Sequence, residues 1–557
     1  MKKYLQLLIG FLIPTFTFMI INVFAQDKRD AFLLPDTSLN PLTVDQMNPE
    51  PPKCIVIGVD CKEGEFLAIL KNQSQIKNPG YIQFATLDDL DRLSNNKLGI
   101  KFTYLNAYRL SDLSAKDNTG ALINSNVCGN YLLRIRFEPE NKVNEAMNLF
   151  RNFLFQASPS ALLNKATIFG IQPEGFGKPP TSEETSEEKP NGKIEDATVR
   201  IKSHNLDTSN LPDVSVAVLD TGWTSNIMNS QSKLSNVTIN KENAFDMTNL
   251  DIQPLPNAIG DTFSVSNGSF QDFMGHGTPI THIIGSLDKT IGVAANARIT
   301  PIKICSGVGE NSGECLESST IYATCYAMSK DINASVINMS FAGRIMPPDG
   351  AGYHAPIFQG LIRDAERNGA LIVAAAGNSR DTTYIEQHPM PEDMVRPSNG
   401  DPLFPSIFSS GYKSKLGISK PTQEGMGLLS VGATFTTKEY ARFATYNNHV
   451  DISAPGSWVK VIGTDGQIKD NLSTPPANAS GTSFSAAYVS GAAALLIARG
   501  ASLDPPKQMT AAQLARLIVK SANPKGCIKT IPNSEECGSG LLDVEAAWLN
   551  LAKPGNP

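Results

Sequence analysis

The sequence predicts an α/β fold in which a mainly parallel central sheet lies between two layers of helices, preceded by a small α+β unit. Five apolar, β-branched runs follow residue 205, as expected of strands buried on both faces: VSVAVLD, ARITPIKIC, SVINMSF, ALIVAAAG and LLSVGAT. Helical stretches such as residues 321–329 and 359–368 separate some of them. Strand-helix-strand repetition indicates a three-layer sandwich.

The length and composition indicate an ordinary globular protein with more than one folded unit. The 557 residues exceed what a single hydrophobic core usually fills. Hydrophobic residues make up 41% of the chain and charged residues 18%, and the net charge is −6. An acidic balance of this size gives no affinity for polyanions, so nucleic acid is not an expected partner.

The first 25 residues have the order of a signal peptide. Lys2 and Lys3 precede an apolar run over residues 5–21, and Ala25 ends a short segment before polar residues. An uncleaved anchor is the alternative, which Pro14 disfavours because it interrupts a span of marginal length. We expect export across one membrane, secretion or residence in a periplasm being undecided, with no stable membrane anchor after cleavage.

Eight cysteines fit an oxidising compartment. Two pairs bracket short polar loops and are predicted disulfides: Cys54 with Cys61, and Cys527 with Cys537. Pairing of the other four stays open, since three compete and the fourth has no evident mate: Cys305, Cys315, Cys325 and Cys128. A zinc site is the rival interpretation, but no CxxC pair with a nearby histidine supplies its usual spacing.

A change of composition divides the chain. Residues 172–198 hold four prolines, many carboxylates and few apolar residues, so they bury too little surface to fold. We therefore predict an N-terminal α+β region at 26–171, an acidic Pro-rich linker at 172–204, a large domain at 205–550 and a tail at 551–557.

The N-terminal region shows short strand signals and one helix. CIVIGV, YIQFA and YLLRIRF are the strand candidates, the last alternating apolar and polar residues. Between Val143 and Leu154, apolar residues recur at helical spacing and place one stripe on a face. No chemistry is visible in this region.

Three residues in the large domain have the types that a nucleophilic hydrolase needs. Asp220 ends the strand VSVAVLD, His276 lies in GHGTP at a predicted helix start, and Ser483 opens an apolar helix in GTSFSAA. Taken singly, each has a structural explanation: a turn aspartate, a buried imidazole and a helix N-cap. Active sites of parallel sheets nevertheless gather at the carboxyl ends of strands.

Together and in this order, Asp-Thr-Gly, Gly-His-Gly-Thr and Gly-Thr-Ser resemble the signatures of subtilisin-like serine proteases, the subtilases or peptidase S8 family. GVAANARITPIKI, SVINMSFAG and LIVAAAGN resemble further family segments, and the likeness covers about residues 205–550.

The resemblance implies a role for each residue. Ser483 would be the nucleophile, His276 its general base and Asp220 the group that orients the imidazole. Asn378 would donate to the oxyanion. The segments that bind substrate would be these: Ser340, Phe341, Ala342 and Gly343, then Ala375, Ala376 and Gly377. The chemistry would require no cofactor and no metal; calcium stabilises many relatives, but no ligand spacing for it is readable here.

The chain departs from the family pattern at several places. Ala487 replaces a usual proline, and His282 stands where a small residue is expected. We interpret His282 as a structural histidine that fills a local gap, in preference to a second catalytic or metal-binding role. Residues 306–319 and 380–427 look like insertions, and the Gly-x-Gly in the first lacks the Lys-Ser/Thr of a phosphate-binding loop.

The carboxylates of the first insertion allow two interpretations. By family position this loop borders the subsites upstream of the cut, so Glu310, Glu314 and Glu317 could favour basic side chains in the substrate. The plainer interpretation is a solvated loop.

The leading hypothesis is an exported, monomeric serine endopeptidase that is made as a precursor. Residues 26 to about 205 would include a propeptide that assists folding and blocks the cleft, and maturation would cut within or just after the linker. A binding protein that kept the fold and lost turnover is the alternative. An α/β-hydrolase is disfavoured, because no G-x-S-x-G elbow is present and the residue order differs. The cleavage preference and the natural substrate are not readable.

Overall fold

The computed structural model describes residues 30–36, 61–70, 97–110, 127–156, 168–173, 176–178, 195–224, 236–248, 270–306, 314–343, 356–378, 427–445, 450–469, 480–530 and 536–553. These residues form an N-terminal unit and a larger α/β unit, which pack directly against each other. The predicted signal peptide and the strand candidates CIVIGV and YIQFA lie outside the described residues.

The N-terminal unit is a four-stranded antiparallel sheet covered by one helix. Its elements are β1 (Glu65–Leu70), β2 (Lys101–Arg109), β3 (Tyr131–Glu138), α1 (Val143–Gln156) and β4 (Ile168–Pro173), with strand order β2-β3-β1-β4. Aromatic rings of Phe66, Phe102, Phe137 and Phe150 fill the space between sheet and helix. The helix predicted from apolar spacing and the strand YLLRIRF are confirmed.

The larger unit has an eight-stranded sheet in its described part. Its strands are β6 (Val214–Asp220), β7 (Thr238–Ile239), β8 (Phe245–Asp246), β9 (Ala297–Lys303), β12 (Val336–Met339), β14 (Leu371–Ala375), β15 (Leu428–Thr434) and β16 (Ile452–Pro455). The order is β16-β15-β14-β12-β6-β9-β7, with β8 beside β9, and the neighbouring strands run parallel. The predicted α/β class is therefore confirmed.

Helices cover both faces of this sheet. The bounds of the helices are α2 (Ala197–Arg200), α3 (Gly277–Gly285), α4 (Glu317–Ala327), α5 (Pro356–Arg367), α6 (Thr482–Ala501), α7 (Ala511–Ser521) and α8 (Val544–Leu551). Along β6, Val216 and Val218 pack with α3, α6 and α7, while Ala217 and Leu219 pack with α4 and α5. The strand is apolar on both faces because each face has its own helical layer.

Helix α6 passes through the interior of the larger unit. It is long and apolar enough to cross a membrane by length and composition, yet 89% of its most apolar window is buried inside the protein. A Cβ on Gly491 would lie 2.8 Å from the Cβ of Val293 and 3.1 Å from the carbonyl oxygen of Ile284. Glycine here lets the middle of α6 approach the end of α3 closely.

Two folded elements lie within the range predicted as linker. Residues 176–178 form β5 (Phe176–Lys178), and α2 docks on the larger unit, where Ile201 is fully buried. Arg200 donates to Thr434 Oγ1 and the carbonyl of Phe435, and the Asp196 carboxylate lies 2.9 Å from Lys460 Nζ. Composition alone suggested no core for these residues, because their burial comes from the larger unit and not from their own neighbours in sequence.

Strand β5 belongs to a small antiparallel sheet at the edge of the larger unit. The other strands are β10 (Cys305–Ser306), β11 (Glu314–Leu316) and β13 (Ala342–Gly343), in the order β10-β11-β5-β13. A separate two-stranded hairpin pairs β17 (Val461–Ile462) with β18 (Ile468–Lys469). The small sheet therefore joins a piece of the N-terminal region to two segments of the larger unit.

The disulfides include one of the two predicted pairs. Cys527 is bonded to Cys537, as predicted, and Cys305 is bonded to Cys315 across β10 and β11. Cys128 is bonded to Cys325, although the sequence indicated no mate for Cys128. Cys61 is also disulfide-bonded, while Cys54 lies outside the described residues.

Candidate active site

Asp220 is held at the carboxyl end of β6, where the buried strand delivers its side chain. The residue is 2% exposed. Its Oδ1 accepts the backbone N–H of Thr221 at 2.7 Å and Nδ1 of His276 at 2.8 Å. An ionised carboxylate only accepts hydrogen bonds, so this contact places the proton of His276 on Nδ1.

His276 immediately precedes α3, and a close backbone approach brings it to Asp220. A Cβ on the next residue, Gly277, would lie 2.2 Å from the carbonyl oxygen of Gly222 and 3.2 Å from Oδ1 of Asp220. The first contact is impossible for a real side chain, so glycine is required at 277. The packing of the His276 turn against the Asp220 turn thus explains Gly277, while Gly275 adopts a φ of +82°, which favours glycine.

The environment of His276 favours its charged form. Burial alone lowers the pKa of the ring, but the charge and hydrogen bond of Asp220 and the charge of Asp272 outweigh it and raise the pKa above 6.5. With Nδ1 engaged, Nε2 is the acceptor of the neutral ring. Among the described residues, Nε2 has no hydrogen-bond partner. The structure therefore leaves the basic nitrogen available.

Asp272 is a residue of this site that the sequence interpretation missed. Its Oδ1 accepts Thr221 Oγ1 and the N–H of Gly275, and its Oδ2 accepts the N–H of Thr278, each at 2.8 Å. Since His276 makes no side-chain cap of its own, Asp272 caps the first turn of α3. An aspartate four residues before His276, ahead of a predicted helix start, was the signal that could have revealed it.

Ser483 is the second residue of α6 and is 1% exposed. Its Oγ donates to the carbonyl oxygen of Ser340 at 2.9 Å, and Ser340 Oγ donates to the carbonyl oxygen of Ser483 at the same distance. Ser340 Oγ also accepts from Nδ2 of Asn338. Oδ1 of Asn338 accepts from the hydroxyl of Ser490, which lies about two turns after Ser483 in α6. This network fixes the start of α6 against the end of β12.

The start of α6 lies beside His276. The ring centroids of His276 and of Phe484, the residue after Ser483, are 5.9 Å apart. In this arrangement the Ser483 hydroxyl is engaged by Ser340 and not by the imidazole. The structure thus brings Asp220 and His276 into direct contact and places the Ser483 turn next to them.

Asn378 follows β14 and is fixed by its side-chain oxygen. Its Oδ1 accepts the backbone N–H of Thr482 at 3.0 Å and Thr482 Oγ1 at 2.9 Å. Thr482 Oγ1 in turn accepts the N–H of Gly377 at 3.1 Å. With Oδ1 held in this way, the amide group of Asn378 is the part left to donate elsewhere. The backbone N–H of Ser483, in the first turn of α6, has no intrahelical acceptor.

The predicted substrate-binding segments lie at the same edge of the central sheet. Ser340 and Phe341 connect β12 to β13, while Ala376 and Gly377 connect β14 to Asn378. Side chains of Phe341, Ala375 and Ala376 are each 1% exposed, so these residues can offer mainly their backbone to a bound chain.

One of these segments is already paired with a strand of the same protein. In β13, Ala342 lies opposite Lys178 and Gly343 opposite Gly177, in antiparallel register. On the other side of β5, Cys315 lies opposite Gly177. An extended segment of the N-terminal region therefore runs between β11 and β13, the latter beginning two residues after Ser340.

The predicted acidic loop is not a uniform group of solvated carboxylates. Glu317 begins α4, is 1% exposed and accepts Nε2 of Gln172 at 2.6 Å. Glu314 lies in β11, and Glu310 lies outside the described residues, as does most of the Gly-x-Gly loop. Glu317 thus contacts the N-terminal unit and has no free carboxylate to offer a substrate.

His282 lies within α3, fully buried. Among the described residues, neither of its ring nitrogens has a hydrogen-bond partner. Burial lowers the pKa of this ring to about 4. The described part of the chain also contains no group of three or more His, Cys, Asp or Glu that could hold a metal ion, so the calcium expectation stays a prediction.

Comparison with known proteins agrees with this geometry. The model of the family described as "Subtilase family" matches residues 212–540. Subtilisin DY of Bacillus licheniformis is 27% identical over 297 residues, which are 52% of this chain and 83% of that protein. Mycosin-3 of Mycobacterium tuberculosis is 28% identical over 332 residues, 55% of this chain and 67% of that protein.

Solved structures show the same fold. The epidermin leader peptide processing serine protease from Staphylococcus aureus aligns with a TM-score of 0.52 at 18% identity, covering 89% of this chain and all of that one. Fervidolysin from Fervidobacterium pennivorans, a keratinolytic enzyme related to subtilisin, aligns with a TM-score of 0.51 at 15% identity, covering 94% of this chain and 65% of that one. At these identities the likeness concerns the fold alone.

Proposed function

This chain belongs to the subtilase family of serine endopeptidases, and from that premise we propose that it hydrolyses peptide bonds through Asp220, His276 and Ser483. The observation that carries the proposal is the buried contact of 2.8 Å between His276 Nδ1 and Asp220 Oδ1, with Nε2 left without a partner among the described residues. An imidazole anchored at one nitrogen and available at the other is what a general base requires.

In the proposed first step, Ser483 Oγ attacks the carbonyl carbon of the scissile bond while its proton passes to Nε2 of His276. The hydroxyl must first rotate about its Cα–Cβ bond, exchanging the hydrogen bond to Ser340 for one to Nε2. Losing one such hydrogen bond costs about 1 kcal/mol, which the new bond to the imidazole offsets. His276 then returns the proton to the leaving amine, and water hydrolyses the acyl-enzyme.

The negative charge on the carbonyl oxygen would be received by the amide of Asn378 and the backbone N–H of Ser483. The anchoring of Asn378 Oδ1 by Thr482 supports this role, because it orients the donor end of the side chain without movement during the reaction. The start of a long buried helix adds the positive end of its dipole. Both donors belong to segments that are fixed by burial.

Substrate would bind as an extended strand beside β13. The antiparallel pairing of β5 with Ala342 and Gly343 supports this, because it fills that strand position with a segment of the same chain. We accordingly propose that the protein is made as a precursor, whose N-terminal unit is a propeptide with β5 as its cleft-filling segment. Maturation would cut the acidic stretch after β5, in residues 179–194.

Export is part of the proposal. The signal-peptide pattern of residues 1–25 supports it, and so do the disulfides, which persist in oxidising compartments. N-terminal sequencing of protein recovered outside the cytoplasm should give Gln26 for the precursor. A chain that keeps Met1 would contradict cleavage of a signal peptide.

A fluorophosphonate probe tests the catalytic assignment. We expect a covalent adduct on Ser483 of folded protein from which β5 has been released, identified by peptide mass spectrometry, and none on the Ser483→Ala variant. Absence of the adduct from that released, folded form would favour the alternative of a binding protein that kept the fold.

Comparing processed N-termini tests self-cleavage. We expect wild-type protein to acquire a new terminus within or just after residues 179–194, and the Ser483→Ala variant to remain uncut. If both proteins show the same new terminus without an added protease, self-cleavage is wrong.

A further inference from the structure

One disulfide connects the N-terminal unit to the larger unit. Cys128, just before β3, is bonded to Cys325 in α4, 197 residues later in the sequence. Both residues are buried, at 1% and 0% exposure. The two other disulfides whose partners are both described close short loops of 10 residues within the larger unit. Of these three bonds, the one between Cys128 and Cys325 alone spans residues 179–194, so it alone can hold together two pieces of a chain cut there.

The surroundings of this disulfide form a built interface. The backbone N–H groups of Val127 and Cys128 both donate to Oδ2 of Asp364 in α5, at 2.7 and 3.0 Å. Gln172 in β4 donates to Glu317 at the start of α4. Buried apolar side chains from the N-terminal unit share one core with helices α4 and α5: Leu67, Ile69, Leu110 and Leu132. The bond is therefore part of a packed contact between the two units.

A second contact is made by the segment at the start of the described chain. Ala31 and Leu33 are buried in the main core of the larger unit. Leu34 N–H donates to the carbonyl of Met509 at 2.7 Å, and Leu33 N–H donates to Ser335 Oγ. The region before β5 is thus attached to the larger unit at several places, one of them covalent.

The order of these features along the chain decides what a cut in the linker would do. Cys128 and β5 both precede residues 179–194, while Cys325 and Ser483 both follow them. A cut in that stretch leaves the tether and the cleft-filling strand on one piece. The other piece carries the second half of the tether and the nucleophile.

We propose that cutting the linker does not release the N-terminal unit: the Cys128–Cys325 disulfide keeps it attached, so β5 remains in the cleft and the cut protein is a two-chain, self-inhibited form. This inference rests on the proposed function for the meaning of the cleft. Tethering makes rebinding of β5 intramolecular, with an effective concentration in the millimolar range. Dilution therefore does not open the cleft, whereas it would release an inhibitor that is not tethered.

A gel experiment tests the tether without any requirement for activity. A recognition site for a sequence-specific protease is placed between Glu187 and Glu188 of the full chain carrying Ser483→Ala, and the folded protein is cut. We expect one species of full mass on a denaturing gel without reductant and two pieces with reductant. Two pieces without reductant would overturn the proposal. The same protein with Cys128→Ser and Cys325→Ser should give two pieces under both conditions.

An activity experiment tests the inhibition. The same site in a chain with Ser483 intact is cut, the protein is diluted to nanomolar concentration, and hydrolysis of a fluorogenic peptide is measured. We expect the cut Cys128→Ser/Cys325→Ser variant to be more active than the cut parent by about 10²-fold, the lower end of the gain that linkage gives. Equal activities would overturn the regulatory role of the tether. Cys527→Ala/Cys537→Ala is the matched control, which loses a disulfide but should stay inhibited.

A second protease site keeps the test decisive if the double cysteine variant does not fold. Placed between Glu174 and Gly175, it separates β5 from both β4 and Cys128 after folding while the disulfide stays intact. We expect cutting at both sites to raise activity about 10²-fold over cutting at Glu187 alone, and no rise would overturn the proposal. If the fluorophosphonate probe labels Ser483 in none of these forms, the proposed catalysis is wrong, while the gel still decides the tether.

Discussion

Two histidines six residues apart, one just before α3 and one within it, show how their surroundings decide what buried imidazoles can do. His276 precedes α3 and His282 lies within it, and both are buried. Carboxylates beside His276 raise its pKa above 6.5, whereas burial without a partner lowers the pKa of His282 to about 4. The same side chain is thus a candidate base at one end of the helix and an inert filler in its body.

Anchoring separates the two environments. His276 is fixed through Nδ1 and presents Nε2, just as Asn378 is fixed through Oδ1 and presents its amide. His282 has no hydrogen-bond partner among the described residues. A polar group that is held at one atom and free at another is suited to chemistry, while one that is held nowhere only occupies volume.

The two histidines also couple folding to pH with opposite signs. A raised pKa means that His276 contributes stability below pH 6.5, which is lost as the pH rises through its folded pKa. A lowered pKa means that His282 takes up a proton on unfolding, so the fold loses stability as the pH falls from 6.5 towards 4. Variants at each end of the helix can therefore be told apart by their pH dependence.

Replacing Asp220 with asparagine should reduce the difference between the two imidazoles more than any other single change. The variant keeps the shape of the side chain but removes the charge that fixes the tautomer of His276 and stabilises its protonated form. We expect kcat/KM on a peptide substrate to fall by about 10⁴-fold, the size of this change in serine protease triads. The thermal unfolding midpoint serves as the control for folding. A loss below tenfold would contradict the role of Asp220.

Replacing Asn378, the other polar side chain that is held at one atom, should have the next largest effect. In Asn378→Ala the oxyanion would lose one of its two proposed donors, and we expect kcat to fall by about 10²–10³-fold with little change in KM. The matched control is Asn243→Ala, which removes a surface asparagine that donates to the carbonyl of Asp331. A change confined to KM would mean that Asn378 contacts the substrate and not the developing charge.

The sequence predicted the anchored end of the helix well because its parts are short, local signatures. Asp220 ends a fully buried strand, and of the glycines beside His276, Gly277 marks a close backbone approach and Gly275 a positive φ of 82°. The five apolar runs predicted the parallel sheet for the same reason, since a strand that is buried on both faces is apolar at successive positions.

Other features depend on partners that are distant in sequence, so no local pattern could reveal them. The bond between Cys128 and Cys325 spans 197 residues, and β5 is stabilised by strands on both sides and not by its own composition. Strand β1 was missed because its second face is covered by the larger unit, so it is apolar on both faces and lacks the expected alternation of apolar and polar residues. Asp272 was missed although its position before α3 is that of a cap.

Replacing His282 with leucine should sharpen the comparison by removing the unanchored ring. Through this residue, the free energy of unfolding falls by about 1.4 kcal/mol for each pH unit on acidification from 6.5 to 4, or by about 3 kcal/mol in all. We expect the unfolding midpoint of His282→Leu to lose less on acidification than that of the parent, with activity at neutral pH unchanged. His204→Gln, at a partly exposed histidine, is the control and should behave as the parent. An unchanged acid dependence in His282→Leu would refute the buried, neutral state.

We expect the smallest effect from replacing Asp272, a change that separates two contributions to the environment of His276, charge and helix capping. Its carboxylate is one of the two charges that raise the pKa of His276, and it also holds the first turn of α3 through the N–H of Thr278. Because the base acts in its neutral form, Asp272→Asn should move the acid limb of the kcat/KM profile to lower pH and reduce the plateau by about tenfold. Loss of helix capping alone would lower the plateau and the unfolding midpoint without moving the limb. The position of the limb therefore tells whether Asp272 acts on the imidazole through its charge or only through the backbone that carries it.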